Sequence, residues 1–178
     1  NKVARQAAKE LITRLSEITG KKIKAVKKAS GKVPAFYLGV CPESKAAGID
    51  PAKLDRDGFY IKTVGNKIFI TGVDSNNPRM KQWATLFGVY DFLERFAGIR
   101  FYFPGEMGTV VPQCNGLKLP EKIDIIDRPD LITRENYSGP KSVWYEKNLY
   151  FGSLKGENFN FLLFRTPSGT RTLDPLIK

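Results

Sequence analysis

Apolar residues recur every three or four positions at the start of the chain. Val3, Ala7, Leu11, Ile12, Leu15 and Ile18 share one face, with Lys9, Arg14 and Glu17 off it. That spacing predicts an amphipathic helix from Val3 to Thr19, ended by Gly20 where a left-handed C-cap belongs. KIKAV at 22–26 then alternates like a half-buried strand, and AFYLGV at 35–40 reads as a more buried one. CPESKAAGIDPAKLDRDG reads as loop, with one helical turn near Pro51 to Leu54. FYIKTV, GN and KIFITGV follow, two alternating strands across a two-residue turn, which predicts a β-hairpin. Apolar residues on both faces of its first strand place that strand inside a sheet.

The second half is built around an aromatic helix. Asn76 or Asn77 is expected to cap it, with Pro78 at its first position and Ala97 near its end. Trp83, Leu86, Phe87, Tyr90, Leu93 and Ala97 form one stripe that Val89, Phe92 and Phe96 widen. Only Lys81, Thr85, Gly88, Asp91 and Arg95 are then left to face water. Gly98 is the expected stop, IRFYF the next strand, and GLKLP and KIDIID are short extended pieces. Beyond Pro129 no period is sustained, so the boundary falls near residue 128: an α/β module over 1–128, then 129–178. Two main helices packed on a mixed β-sheet make this an α+β fold.

Composition and charge narrow the chemistry. The 178 residues are 42% hydrophobic and 26% charged, enough to build a core. No apolar run is long enough to span a membrane. The chain begins with Asn1, which suggests removal of an upstream segment such as a signal peptide. Residues 1–32 hold ten Lys or Arg against two Glu, whereas residues 33–130 hold twelve of each sign. The basic run lacks interleaved aromatics for base stacking. It therefore reads as a solvated face, and nucleic acid is not the expected partner. Cys41 and Cys114 are compatible with one disulfide or two thiols, and without CxxC spacing they are a weak metal signal.

The chain has no histidine, which excludes Ser-His-Asp and Cys-His nucleophile activation and histidine-based zinc sites. None of the common nucleotide, zinc-protease or serine-hydrolase motifs occurs, so no cofactor, metal or catalytic residue is assigned. Asn136-Tyr137-Ser138 fits the N-glycosylation pattern. Glycoside hydrolysis needs two carboxylates about 5 to 10 Å apart, and Asp55 with Asp57 or Asp124 with Asp127 are the nearest couples. Turn capping and solvation account for both. Trp83, Phe87 and Tyr90 would stack on sugars only if exposed, and their helical spacing assigns them to the core. Arg100 falls opposite Ile99, Phe101 and Phe103 along its strand, free to meet a carboxylate or a neighbouring domain.

Leu86-Phe87-Gly88-Val89-Tyr90-Asp91-Phe92-Leu93-Glu94, then Gly98-Ile99-Arg100-Phe101-Tyr102, then Pro104-Gly105-Glu106, Gly108 and Val111-Pro112 resemble a known non-catalytic module. It is the α/β domain before the barrel in family 20 hexosaminidases and family 67 α-glucuronidases, nearest to the version in uncharacterised bacterial glycan-utilisation proteins. AAKELITRLSEITGKKI and DGFYIKTVGNKIFITG resemble its first helix and its hairpin, so the likeness covers roughly residues 2 to 128. The resemblance implies a zincin-like fold without the metal site. It also implies an exported protein, in the periplasm, on the cell surface or secreted, whose chemistry lies in a C-terminal (β/α)8 barrel. Arg128-Pro129-Asp130-Leu131-Ile132-Thr133-Arg134 resembles the entry to that barrel, which makes Arg134 the one substrate-binding residue carried over. The tail TPSGTRTLDPLIK departs from the family and suggests a truncated or frame-shifted reading, with 129–178 the stump of the barrel domain. The expected function is thus a non-catalytic accessory domain of a glycoside-hydrolase-like protein. The alternatives are a stand-alone carbohydrate-binding module and a nucleic-acid-binding domain using residues 1–32.

Overall fold

A computed structural model of the chain describes residues 1–26, 29–31, 33–54, 58–76, 82–102, 107–114 and 116–128. The chain divides into two compact units, one of Asn1–Gly98 with Pro112–Arg128 and another that takes in Ile99–Val111. The first unit is α+β, three helices and a mixed sheet of four strands. Its helices are α1 (Lys2–Thr19), α2 (Pro42–Ala46) and α3 (Ala84–Ala97), and its strands are β1 (Ala35–Leu38), β2 (Phe59–Val64), β3 (Lys67–Gly72) and, after the two strands of the second unit, β6 (Asp124–Asp127). Among the described residues of the second unit, β4 (Arg100–Phe101) and β5 (Thr109–Val110) form an antiparallel ribbon.

The predicted hairpin is the centre of the sheet. β2 and β3 pair from Phe59↔Gly72 to Val64↔Lys67, turning at Gly65, whose φ of 56° a side chain would strain. The strand order is β1-β3-β2-β6, so both hairpin strands are interior, with β1 parallel to β3 and β6 antiparallel to β2. Phe59, Ile61, Ile68 and Ile70 are buried on the face that carries α3, and Phe36 of β1 meets Phe92 edge-on at 5.1 Å. On the other face Tyr37 and Phe69 pack ring to ring at 5.1 Å, and Lys67 Nζ lies 5.6 Å from the Tyr37 ring.

Both long helices end as expected, at Gly20 and Gly98 in left-handed conformation. α1 buries Val3, Ala7, Leu11, Leu15 and Ile18, and it also buries Glu10 because Arg14 Nε bonds that carboxylate at 3.0 Å. Three expectations are corrected. KIKAV joins no strand: Ile23 N–H donates to Ser16 Oγ at 3.3 Å, which ties the segment to α1 rather than to the sheet. α2 lies inside the stretch read as loop, because Pro42 opens it and Cys41 and Ser44 form a reciprocal cap. The turn near Pro51 is present as a single 3-10 turn, Pro51–Lys53, capped by Asp50.

The third correction concerns α3. It begins at Ala84, with Trp83 at the cap position and no side-chain cap from its own segment; Asn77 and Pro78 lie outside the described residues. Within the strip assigned to water, Thr85 and Gly88 face the sheet instead and Arg95 stays exposed, while Lys81 lies outside the described residues. Thr85 and Asp91 are fully buried, and a Cβ added to Gly88 would sit 2.8 Å from Ile70 Cγ2 and 3.1 Å from Phe59 Cδ2. Small and polar residues let the helix approach the strands closely. Leu86, Val89, Tyr90, Phe92 and Leu93 are buried as well, so α3 is covered on nearly all sides.

Candidate functional site

Two clusters of buried and half-buried polar groups lie at the two ends of α3. At its N-terminal end, Asp74 follows β3 and bridges back to Trp83, and Ser75 N–H donates to Gln82 C=O at 2.9 Å. Asp74 Oδ1 accepts from Thr85 N–H at 2.9 Å, and Oδ2 accepts from Thr85 Oγ1 at 2.7 Å and from Asn1 Nδ2 at 3.1 Å. Thr85 Oγ1 in turn accepts from Gly72 N–H at 3.1 Å. One carboxylate thus supplies the cap that α3 lacks and ties it to β3 and to the start of α1. Asn1 Oδ1 caps α1 through Val3 N–H at 2.9 Å, and Asn76, expected to cap α3, accepts from Lys2 N–H instead. Negative charge is favoured where helix N-termini meet.

Gly72 is required at this junction, since a Cβ there would lie 2.5 Å from Ala84 Cβ and 2.7 Å from Gly58 C=O. Burial pushes the Asp74 carboxyl above its ordinary range, against the hydrogen bonds from Thr85 and Asn1, which favour the charged form. A recess of about 690 Å³ opens beside it at the C-terminal ends of β1 and β3, lined by Lys45, Asp50, Lys53 and Asp74 among others. Both carboxylates on it are engaged, Asp50 in capping Ala52 N–H and Asp74 in the junction.

At the other end of α3, Arg95 Nε bonds both oxygens of the buried Asp91, at 2.8 and 2.6 Å, and Arg95 Nη2 reaches Asp127 of β6 at 2.9 Å. Asp124 pairs with Lys62 at 3.2 Å. The couple Asp124 and Asp127 therefore does not converge: each carboxylate serves a different cation, and Lys62 and Arg95 lie on different elements. Asp55 and Asp57 lie outside the described residues, as do Asn136 and Arg134. Trp83 and Phe87 are half-buried and Tyr90 is fully buried, so they present no open stacking platform. Arg100 is half-buried, and its Nη1 donates to Ile99 C=O at 2.8 Å. Cys41 and Cys114 are free thiols. Among the described residues no three Asp, Glu or Cys side chains are grouped to hold a metal ion, and no helix is long and apolar enough to cross a membrane.

Sequence reasoning missed Asp74 and the sheet-facing role of Thr85. The available signal was the run Asp74-Ser75-Asn76-Asn77, four capping residues in a row; which of them reaches the helix depends on how the loop folds back. No protein-family model matches the chain, and no curated protein matches it either.

Proposed function

We propose that this chain is a non-catalytic accessory domain of a glycoside-hydrolase-like protein, zincin-like in fold and without the metal site, that supports a C-terminal (β/α)8 barrel. The observation that carries the reading is the state of α3, the helix that holds the signature from Leu86 to Glu94. Its sheet-facing polar residues Thr85 and Asp91 are committed to fixing it, through Asp74 at one end and through Arg95 and Asp127 at the other. Side chains held in that way orient a scaffold and are not free to take protons from a substrate. The motif order from Leu86 to Pro112 supports the family assignment. On this reading the protein acts on carbohydrate outside the cytoplasm, and Arg134 approaches the sugar from the first barrel strand.

Two measurements test the proposal. The purified chain is expected to release no aryl aglycone from a panel of aryl glycosides; turnover that disappears when one carboxylate is changed overturns the non-catalytic assignment. Sequencing the genomic DNA past codon 178 is expected to show barrel-coding sequence in some frame, and none in any frame removes the barrel. The burial of Tyr90 gives a stand-alone sugar-binding surface no support.

A further inference from the structure

The ribbon of β4 and β5 has two unlike faces. Arg100 is paired with Val110 and Phe101 with Thr109, and Tyr102 N–H continues the ladder by donating to Gly108 C=O at 2.7 Å. Opposed residues of an antiparallel pair share a face and successive residues alternate. Phe101 and Thr109 therefore turn to one side, and Arg100, Tyr102 and Val110 to the other. Phe101 is buried, whereas Tyr102 is 41% and Val110 50% exposed. Two large apolar side chains thus share an outward face with one arginine, whose Nη1 is held at the root of the ribbon by Ile99 C=O. Outward from that root, β4 presents a cation and then, two residues on, an aromatic ring.

The chain supplies a complement close by. The ribbon starts after Gly98 and returns to the first unit at Pro112, and a Cβ on Gly98 would lie 3.4 Å from Pro112 Cγ, so both its roots are at the C-terminal end of α3. Residues 129–178, the only others outside the first unit, start from Arg128. Arg95, in the last turn of α3, bonds Asp127 at 2.9 Å, so they leave from the same corner. Pro129 favours extended backbone at Arg128. In an extended segment Asp130 and Ile132 point to one side, with the spacing of Arg100 and Tyr102. We propose that the face of Arg100, Tyr102 and Val110 docks the chain's own residues 129–132, running outward alongside β4. The Asp130 carboxylate lies on the Arg100 guanidinium, and Ile132 covers Tyr102 and Val110. Leu131 then points away from the ribbon. The docked segment fixes the direction in which the chain leaves the module. The docking needs no barrel beyond residue 178, so it can fail while the accessory-domain reading stands, and the reverse.

The test is photocrosslinking of the full chain carrying Tyr102→p-benzoylphenylalanine, with the adducts mapped by peptide mass spectrometry. The probe is expected to join residues 129–132 of the same chain. The same probe at Val64, exposed at the end of β2 away from Asp127, should not. Ile132→Asp should lower the yield about tenfold, the loss of one buried apolar contact. Asp130→Lys should lower it as well, and Arg100→Glu added to Asp130→Lys should restore it, which a general loosening of the ribbon would not do. Adducts elsewhere in the chain or between two copies, no adduct, or a yield that Ile132→Asp leaves unchanged overturns the docking. Failure of the reversed pair to recover the yield overturns the placing of Asp130 on Arg100.

Discussion

At one edge of the sheet, β6 reads Asp-Ile-Ile-Asp, and each aspartate is clamped by a cation, Asp124 by Lys62 and Asp127 by Arg95. At the other edge, β1 reads Ala-Phe-Tyr-Leu, which carries no charge, and among the described residues it pairs with β3 alone. Charge on an edge strand opposes pairing with a foreign strand, whereas an uncharged edge invites it. One sheet thus has an edge strand held by ion pairs and an edge strand without charge. The difference shows that two edges of one sheet can be held by different means, ion pairs at β6 and aromatic packing at β1.

The sharpest way to break this comparison is to remove Arg95. Asp91 is fully buried and Arg95 only partly so, and taking away the cation of a buried carboxylate is costly. Discounted for the exposure of the arginine, Arg95→Ala is expected to lower stability by about 2–4 kcal/mol in urea denaturation. A loss no larger than that of an exposed pair would mean that β6 is not anchored through α3.

Asp74 lies between the two edges and acts through protonation. Its carboxyl is raised by burial, so the folded chain binds that proton more readily than the unfolded one. The stability this group contributes is fully present below the ordinary aspartate range and is lost as pH rises through the raised value. Asp74→Asn removes the titration and disturbs the cap, at a cost of about 0.5–2 kcal/mol. The gap between wild type and variant should be widest in acid and should narrow towards neutral pH, and a denaturation series at stepped pH that shows the opposite trend refutes the assignment.

Smaller effects sharpen the contrast at β6. Asp127→Asn leaves Asp91 its cation and should cost about 0.5–1 kcal/mol. Lys62→Ala removes a pair whose side chains are 34% and 44% exposed and should change stability by less than about 0.5 kcal/mol. If Lys62→Ala proves as damaging as Arg95→Ala, the ranking of the two clamps is wrong.

Periodicity carried much of the fold. The face from Val3 to Ile18 and the stop at Gly20 produced α1, and alternation around Gly65-Asn66 produced the hairpin and its interior place. The same reading misplaced the polar strip of α3. Thr85, Gly88 and Asp91 look like a solvent stripe on a helical wheel, but a wheel does not record which flank meets a sheet. Close packing on β2 and β3 needs small residues at the line of contact, and Gly88 meets that need. KIKAV failed for the opposite reason. Its alternation permits a strand, but a strand forms only beside a partner, and Ser16 takes the amide of Ile23 first.

By itself the sequence determined the α+β class, the hairpin, the two glycine stops and the exclusion of histidine chemistry, because each follows from local spacing or from composition. Only the tertiary structure decided that Asp74 caps a helix ten residues further on and that Arg95 joins α3 to β6. Those contacts join residues distant in sequence. No local pattern records a distance across the fold.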